Sequence, residues 1–199
     1  IRGVAGALAK PHVYAWEKEY RTDRGRWRGT TNFQLDLPEG SKILEVGCGN
    51  GKHLSALWGK GFDVHAIDVA PSAVKLAKER AKEYKAKAHI AVGDVCSMDF
   101  KDGFFDAVFL FHVVGHLAEV ERRTAVREVY RVLKRRGLCF FRGFEASDLR
   151  FGKGIEVEKN TFRRGTNVWV HYFSEEEASR LFEDAGFAVK SSMVDKWKV

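Results

Sequence analysis

From Lys42 onward the chain alternates short apolar runs with stretches of helical periodicity. That alternation admits few folds, and the simplest is repeated strand and helix units around a mainly parallel sheet. Residues 43–46 and 63–67 read as the first two strands, with 52–60 as the helix between them. A second helix opens at Pro71 and Ser72 and gathers Val74, Leu76, Ala77, Ala81 and Tyr84 roughly on one face. Further strands follow at 88–92, 106–111 and 138–142, and 106–111 is apolar after its first residue, as a strand covered on both faces should be. Residues 119–133 set Val126, Val129, Tyr130 and Leu133 at helical spacing, and 134–137 supplies a basic turn and a glycine stop. Segment 145–168 is Gly-rich and charged without clear periodicity, and reads as an insertion able to close over a site. Ser174 followed by Glu177 forms a capping box for a helix that stops at Gly186, and 187–194 reads as a last strand.

Ahead of the sheet, Val13, Trp16, Glu17 and Tyr20 share helical spacing, with Trp16 read as core packing of an extra helix. The expected fold class is α/β, a doubly wound, mainly parallel sheet with an N-terminal helical cap, in one domain over residues 1–199. Within it, 1–40 hold the helix and a lid, 41–142 the core, and 143–199 the insertion with the C-terminal helix and strand.

Ordinary globular usage, 45% hydrophobic and 31% charged over 199 residues, excludes a disordered or fibrous chain. A net charge of +7 attracts polyanions only where folding gathers it, and the basic residues stand in short separated clusters. Cys48, Cys96 and Cys139 are odd in number and widely spaced, which fits reduced thiols rather than a disulfide framework or a zinc site. No apolar run is long enough to span a bilayer and no signal organisation opens the chain, so a cytoplasmic protein without a membrane partner is expected. The chain begins at Ile1 rather than Met, as a fragment would, and carries no sign of its oligomeric state.

Glycines at 47, 49 and 51 give a tight turn out of the first strand and let backbone approach a ligand closely. A dinucleotide site of the NAD type needs a glycine where this chain has Lys52, and a P-loop needs Gly-Lys-Ser/Thr after four residues, which is absent. Asp68 ends the second strand about 20 residues past the turn, where a carboxylate accepts hydrogen bonds from ribose hydroxyls. Asp94 follows the third strand, placed to reach an adenine. Each acid alone reads equally as a cap or turn former, with Ser72 able to cap in place of Asp68. Together with Glu45 they put three acids at the carboxyl ends of three consecutive strands, which turns alone explain poorly. His112 and His116 lack the intervening glutamate of a zinc-hydrolase helix, and no metal is expected.

The ordered set Glu45-Val46-Gly47-Cys48-Gly49-Asn50-Gly51, Ala66-Ile67-Asp68, Gly93-Asp94-Val95, Phe105-Asp106-Ala107-Val108 and Val129-Tyr130-Arg131-Val132-Leu133-Lys134 resembles the class I S-adenosylmethionine-dependent methyltransferases. The resemblance implies S-adenosylmethionine as cofactor and S-adenosylhomocysteine as product. It assigns Gly47, Cys48, Gly49, Asn50 and Gly51 to the methionine part and ribose, Asp68 with Val69 to the ribose hydroxyls, and Asp94 with Val95 to adenine. Glu45 orients the turn or meets the donor's ammonium, and Phe111 and His112 face the methyl group, His112 as wall or as general base.

Trp16 to Tyr20 and Tyr172 to Glu177 are similar to small methyltransferases of the tellurite-resistance and thiopurine type, while Gly47 to Lys52 also resembles tRNA wobble-uridine enzymes. Dispersed charge favours a small-molecule acceptor over RNA. An RNA acceptor and a donor-binding homologue without turnover remain the alternatives. Residues 20–29 are expected to form a lid in which Trp27 covers the donor and Arg28 pairs with its carboxylate. The superfamily sheet usually ends in an antiparallel hairpin, for which too little chain follows residue 194. Either that strand is missing or an N-terminal or inserted strand replaces it.

Overall fold

A computed structural model describes residues 11–22, 35–165 and 167–194. Five parallel strands form the central sheet in the order β3-β2-β1-β4-β5. They are β1 Lys42–Val46, β2 Asp63–Asp68, β3 His89–Val92, β4 Phe105–Phe111 and β5 Leu133–Arg142. The order reverses at β1, so a crevice opens between the carboxyl ends of β1 and β4, where open α/β sheets bind ligands.

Alternation along the strands feeds two cores. Ile43, Ala107 and Phe109 point to one face of the sheet, Leu44, Val108 and Leu110 to the other. The first face is covered by α2 (Pro71–Glu83), whose Ala73, Val74, Ala77 and Ala81 are buried in one stripe. Pro71 at the first helical position presets the helical φ and needs no hydrogen-bond partner for its nitrogen. The second face is covered by α3 (Glu119–Val132) through Ala125, Val126, Val129 and Val132, and by α4 (Glu175–Glu183) through Phe182. Each large apolar side chain so buried contributes about 1.5–3 kcal/mol. The Ser174 hydroxyl accepts from Glu177 N at 3.1 Å, the expected start of α4, and Gly186 lies just past its end at φ 103°.

The N-terminal helix α1 (Pro11–Thr22) forms as expected and is tied to α2 by Glu17. Its carboxylate accepts from Ser72 N at 3.0 Å and from the Ser72 hydroxyl at 2.6 Å, so a residue 55 positions away caps α2. No described helix is long and apolar enough to cross a membrane.

Four expectations are corrected. Residues 52–60 make only the 3-10 turn Leu54–Ala56, because Gly59 and Gly61 take left-handed backbone (φ 75° and 76°) and His53 is drawn to Glu45. Residues 134–137 are not a simple helix stop: β5 begins at Leu133, and its register against β4 skips from Phe105↔Leu133 to Ala107↔Leu138. Segment 145–168 is not irregular; it holds β7 Ile155–Glu158 and β8 Thr161–Arg164, which join β6 Phe144–Glu145 and β9 Val168–Phe173 in a second sheet ordered β6-β9-β8-β7. The inserted strands therefore build their own sheet and do not extend the central one. Finally, residues 187–194 form no strand, since they find no ladder partner among the described residues and Val189, Met193 and Val194 stay exposed.

Candidate active site

The glycine turn is held by strand β2. Gly47 N and Cys48 N both donate to Ile67 O, at 2.8 and 3.0 Å. The two oxygens of Asp68 then accept from Gly49 N and Ala70 N, each at 2.9 Å. Gly47, Gly49 and Gly51 all lie at positive φ, and a Cβ on Gly47 would sit 2.3 Å from Val113 Cγ2. Only glycine fits there without displacing Val113.

A cavity of about 100 Å³ opens above this turn. Gly47, Asp68, Val69, Asp94, Val95 and His112, each expected from the sequence, line it together. Glu45, Cys48, Gly49, Asn50, Gly51 and Phe111 do not reach its wall; the first five lie within or behind the turn. Phe111 instead carries the Arg142 guanidinium 5.1 Å above its ring. Trp27 and Arg28, and the lid expected around them from residue 23 onward, lie outside the described residues.

The sequence reads Trp16 as core packing and Tyr20 as the start of a lid. Trp16 and Tyr20 line the cavity from α1, so Trp16 is not simply core packing. Its ring meets His116 edge-on at 4.7 Å, and His116 Nδ1 is 2.6 Å from Trp169 O of the second sheet. Helical periodicity marked these aromatics but could not say what they face. Gly93, Val113 and Leu117 also line the cavity, and their positions just after β3 and β4 were the available signal.

Burial sets the electrostatics. Asp68 is pushed up to about 6, first by desolvation, against the hydrogen bonds from Ala70 and Gly49. Glu45, also raised by burial, keeps Oε1 3.3 Å from His53 Nδ1, while Oε2 is buried with no hydrogen-bond partner among the described residues. Burial lifts the thiol of Cys48 well above its ordinary range, so it is no nucleophile at neutral pH. His112 is driven down to about 4 by burial and then by His116, so its imidazole is neutral at pH 7. Its backbone lies in the left-handed region (φ 55°), fixed by donation from His112 N to Arg142 O at 2.8 Å, and strain of this kind gathers at functional sites. The His112 ring faces Phe144 at 4.8 Å, and the Arg150 guanidinium lies 4.8 Å over that same Phe144.

The fold is shared with known proteins. The family described as Methyltransferase domain matches residues 44–141. A solved S-adenosylmethionine-dependent methyltransferase from Methanosarcina mazei superposes with a TM-score of 0.76 at 25% identity, over 85% of this chain and 92% of that one. The chain belongs to the class I S-adenosylmethionine-dependent methyltransferases. The curated relatives of this methyltransferase include a tRNA N(3)-cytidine methyltransferase of Homo sapiens, 27% identical over 78% of this chain and 44% of the relative. Another is a tRNA(Thr) (cytosine(32)-N(3))-methyltransferase of Saccharomyces cerevisiae, 30% identical over 70% of this chain and 24% of the relative. The chain thus spans less than half the length of these relatives.

The expectation of a small-molecule acceptor is overturned by these tRNA-modifying relatives. It rested on basic residues being scattered in sequence, and the fold gathers some of them. Arg142 and Arg150 both act electrostatically on His112 and sit over the rings of Phe111 and Phe144.

The residues present fit S-adenosylmethionine. The Asp68 carboxylate suits vicinal hydroxyls, and Val69 and Val95 offer apolar walls beside Asp94 for a base.

Proposed function

We propose that this methyltransferase transfers a methyl group to a base of tRNA, with a cytosine ring nitrogen as acceptor. The observation that carries the reading is the pairing of a neutral His112 with Phe144 and Arg150 at the edge of the donor cavity. RNA is read mainly through unstacked bases laid against aromatic and guanidinium faces, and an enzyme acting on a base draws it into such a pocket.

S-adenosylmethionine supplies an electrophilic methyl carbon. On this reading Asp68 and Asp94 hold the two ends of the nucleoside, Glu45 supports the turn from behind, and the turn at Gly47 lets the methionine part lie close to backbone. A cytosine N3 carries its own lone pair and needs no proton removed, so His112 acts as a positioning wall and not as a base. Its neutrality also suits the site, because a cation beside the reacting centre would repel the donor. Trp16 and Tyr20 move outward on binding, since a cavity of about 100 Å³ is smaller than the roughly 300–1,000 Å³ that encloses such ligands.

The test is methyl transfer from labelled donor, run side by side on bulk tRNA and on a panel of thiols, phenols and amines. Label in the tRNA fraction is expected. Label confined to a small acceptor overturns the proposal.

A further inference from the structure

At the opposite end of the sheet from the glycine turn, Asp63, His65 and His89 bring their ligand atoms within 4.8 Å of one another. The cluster is a product of strand register. Asp63 and His65 are two residues apart on β2 and so share a face, and His65 pairs directly with His89 on β3. Parallel pairing stacks the two imidazoles at 4.5 Å and 22°. Both Nε2 atoms converge on one carboxylate oxygen: His65 Nε2 lies 3.2 Å and His89 Nε2 3.5 Å from Asp63 Oδ1.

We propose that Asp63 Oδ1, His65 Nε2 and His89 Nε2 form a zinc site with a fourth position open to solvent. Metal–ligand bonds of about 2.0–2.1 Å in tetrahedral geometry put neighbouring ligand atoms about 3.3–3.4 Å apart, and the two distances found bracket that value. Two imidazoles and one carboxylate are a donor set that zinc accepts. His65 Nε2 is buried, and the Asp63 Oδ1 atom 3.2 Å away is its polar neighbour.

The surroundings are those of a supported site. Lys42 Nζ is bonded to the other carboxylate oxygen, Asp63 Oδ2, which orients the group and leaves Oδ1 toward the histidines. Phe100, Phe104 and Phe105 each meet the His65 ring edge-on and fix its plane. The His89 side chain, 72% exposed, closes the set from outside and is free to adjust its rotamer. Placed at the amino ends of β2 and β3, far from the glycine turn, the ion staples two strands and takes no part in methyl transfer. Ligands that meet through strand register show none of the short spacings of a zinc motif, so this cluster has no signature in the sequence.

The test is titration of the chelator-treated, tag-free protein with zinc, followed by calorimetry and by thermal unfolding. Binding of one equivalent and a Tm that rises until one equivalent is reached are expected. His89→Ala, a change at an exposed side chain, should weaken binding at least tenfold while its metal-free Tm stays near that of wild type. His112→Ala should leave one equivalent bound, which separates this site from His112 and His116. Cobalt in place of zinc should give the visible absorption of a tetrahedral or five-coordinate ion, and His65→Gln should abolish it. The proposal is overturned if wild type shows no saturable binding at micromolar zinc, or if His89→Ala binds as tightly as wild type.

Discussion

The two walls of the cavity differ in how their residues are brought together. The donor wall is local and backbone-built: Gly47, Asp68 and Asp94 each stand at the end of a neighbouring strand, and Asp68 holds the turn by accepting from Gly49 N and Ala70 N. The facing wall is assembled from distant pieces. Trp16 and Tyr20 come from α1, and His112 and His116 from the segment after β4, with His116 held from behind by Trp169 O of the second sheet. The first arrangement follows from strand order alone and suits a ligand common to a whole superfamily. The second depends on how α1 and the second sheet pack around the segment after β4.

The sharpest way to break the donor wall is Gly47→Ala. A Cβ 2.3 Å from Val113 Cγ2 on backbone at φ 69° combines overpacking with left-handed strain, and a loss of about 2–4 kcal/mol of stability is expected by urea denaturation. Adding Val113→Ala should recover part of that loss but not the strain. Full recovery would mean that the turn tolerates a side chain and that its glycines are not required.

Next in size is Asp68→Ala, expected to weaken S-adenosylmethionine binding by about 1.5–3 kcal/mol in calorimetry while circular dichroism stays that of a folded chain. An unchanged affinity would remove Asp68 from the donor wall. Phe144→Ala is the complementary probe. It should lower kcat/KM for tRNA by about 1–2 kcal/mol, the scale of one lost base stack, and leave donor affinity as in wild type. If donor affinity falls as well, the two walls are not separable.

This contrast also explains what could be read in the sequence. Four of the five central strands, α1, α2 and the start of α4 were legible because periodicity, Pro71 and the Ser174–Glu177 spacing are local signals. The second sheet was not, because strands such as Ile155–Glu158 and Thr161–Arg164 are four residues long and half charged. They hold through pairing and through Arg122, buried against Glu158 at 3.2 Å, neither of which has a sequence period. Likewise 187–194 carries strand-forming residues such as Phe187, Val189 and Val194, yet such residues without a partner make no ladder. Among site residues, the acids at strand ends were legible and the α1 roof was not, since a helix stripe looks the same whether it covers a core or a cavity.

A smaller effect comes from titration. His112, held down at about 4, stays neutral where the unfolded chain's histidine at about 6.5 takes a proton, so its contribution to stability is complete above 6.5 and is lost as pH falls toward 4. Asp68, raised to about 6, has the opposite slope: its contribution is present at acid pH and is lost as pH rises through about 6. His112→Ala should therefore gain stability relative to wild type as pH drops from 7 to about 4.5, measured by urea denaturation at each pH. A constant difference across that range would mean that His112 is not held neutral.

The central claim is that the wall around His112 and Phe144 accepts a base of RNA. Digestion of tRNA methylated by the purified protein, followed by mass spectrometry of the nucleosides, tests it most directly. The account predicts the label in N3-methylcytidine, lost or strongly reduced with Phe144→Ala. Label in a ribose, or in a thiol offered in the same tube while the tRNA stays unlabelled, would contradict it.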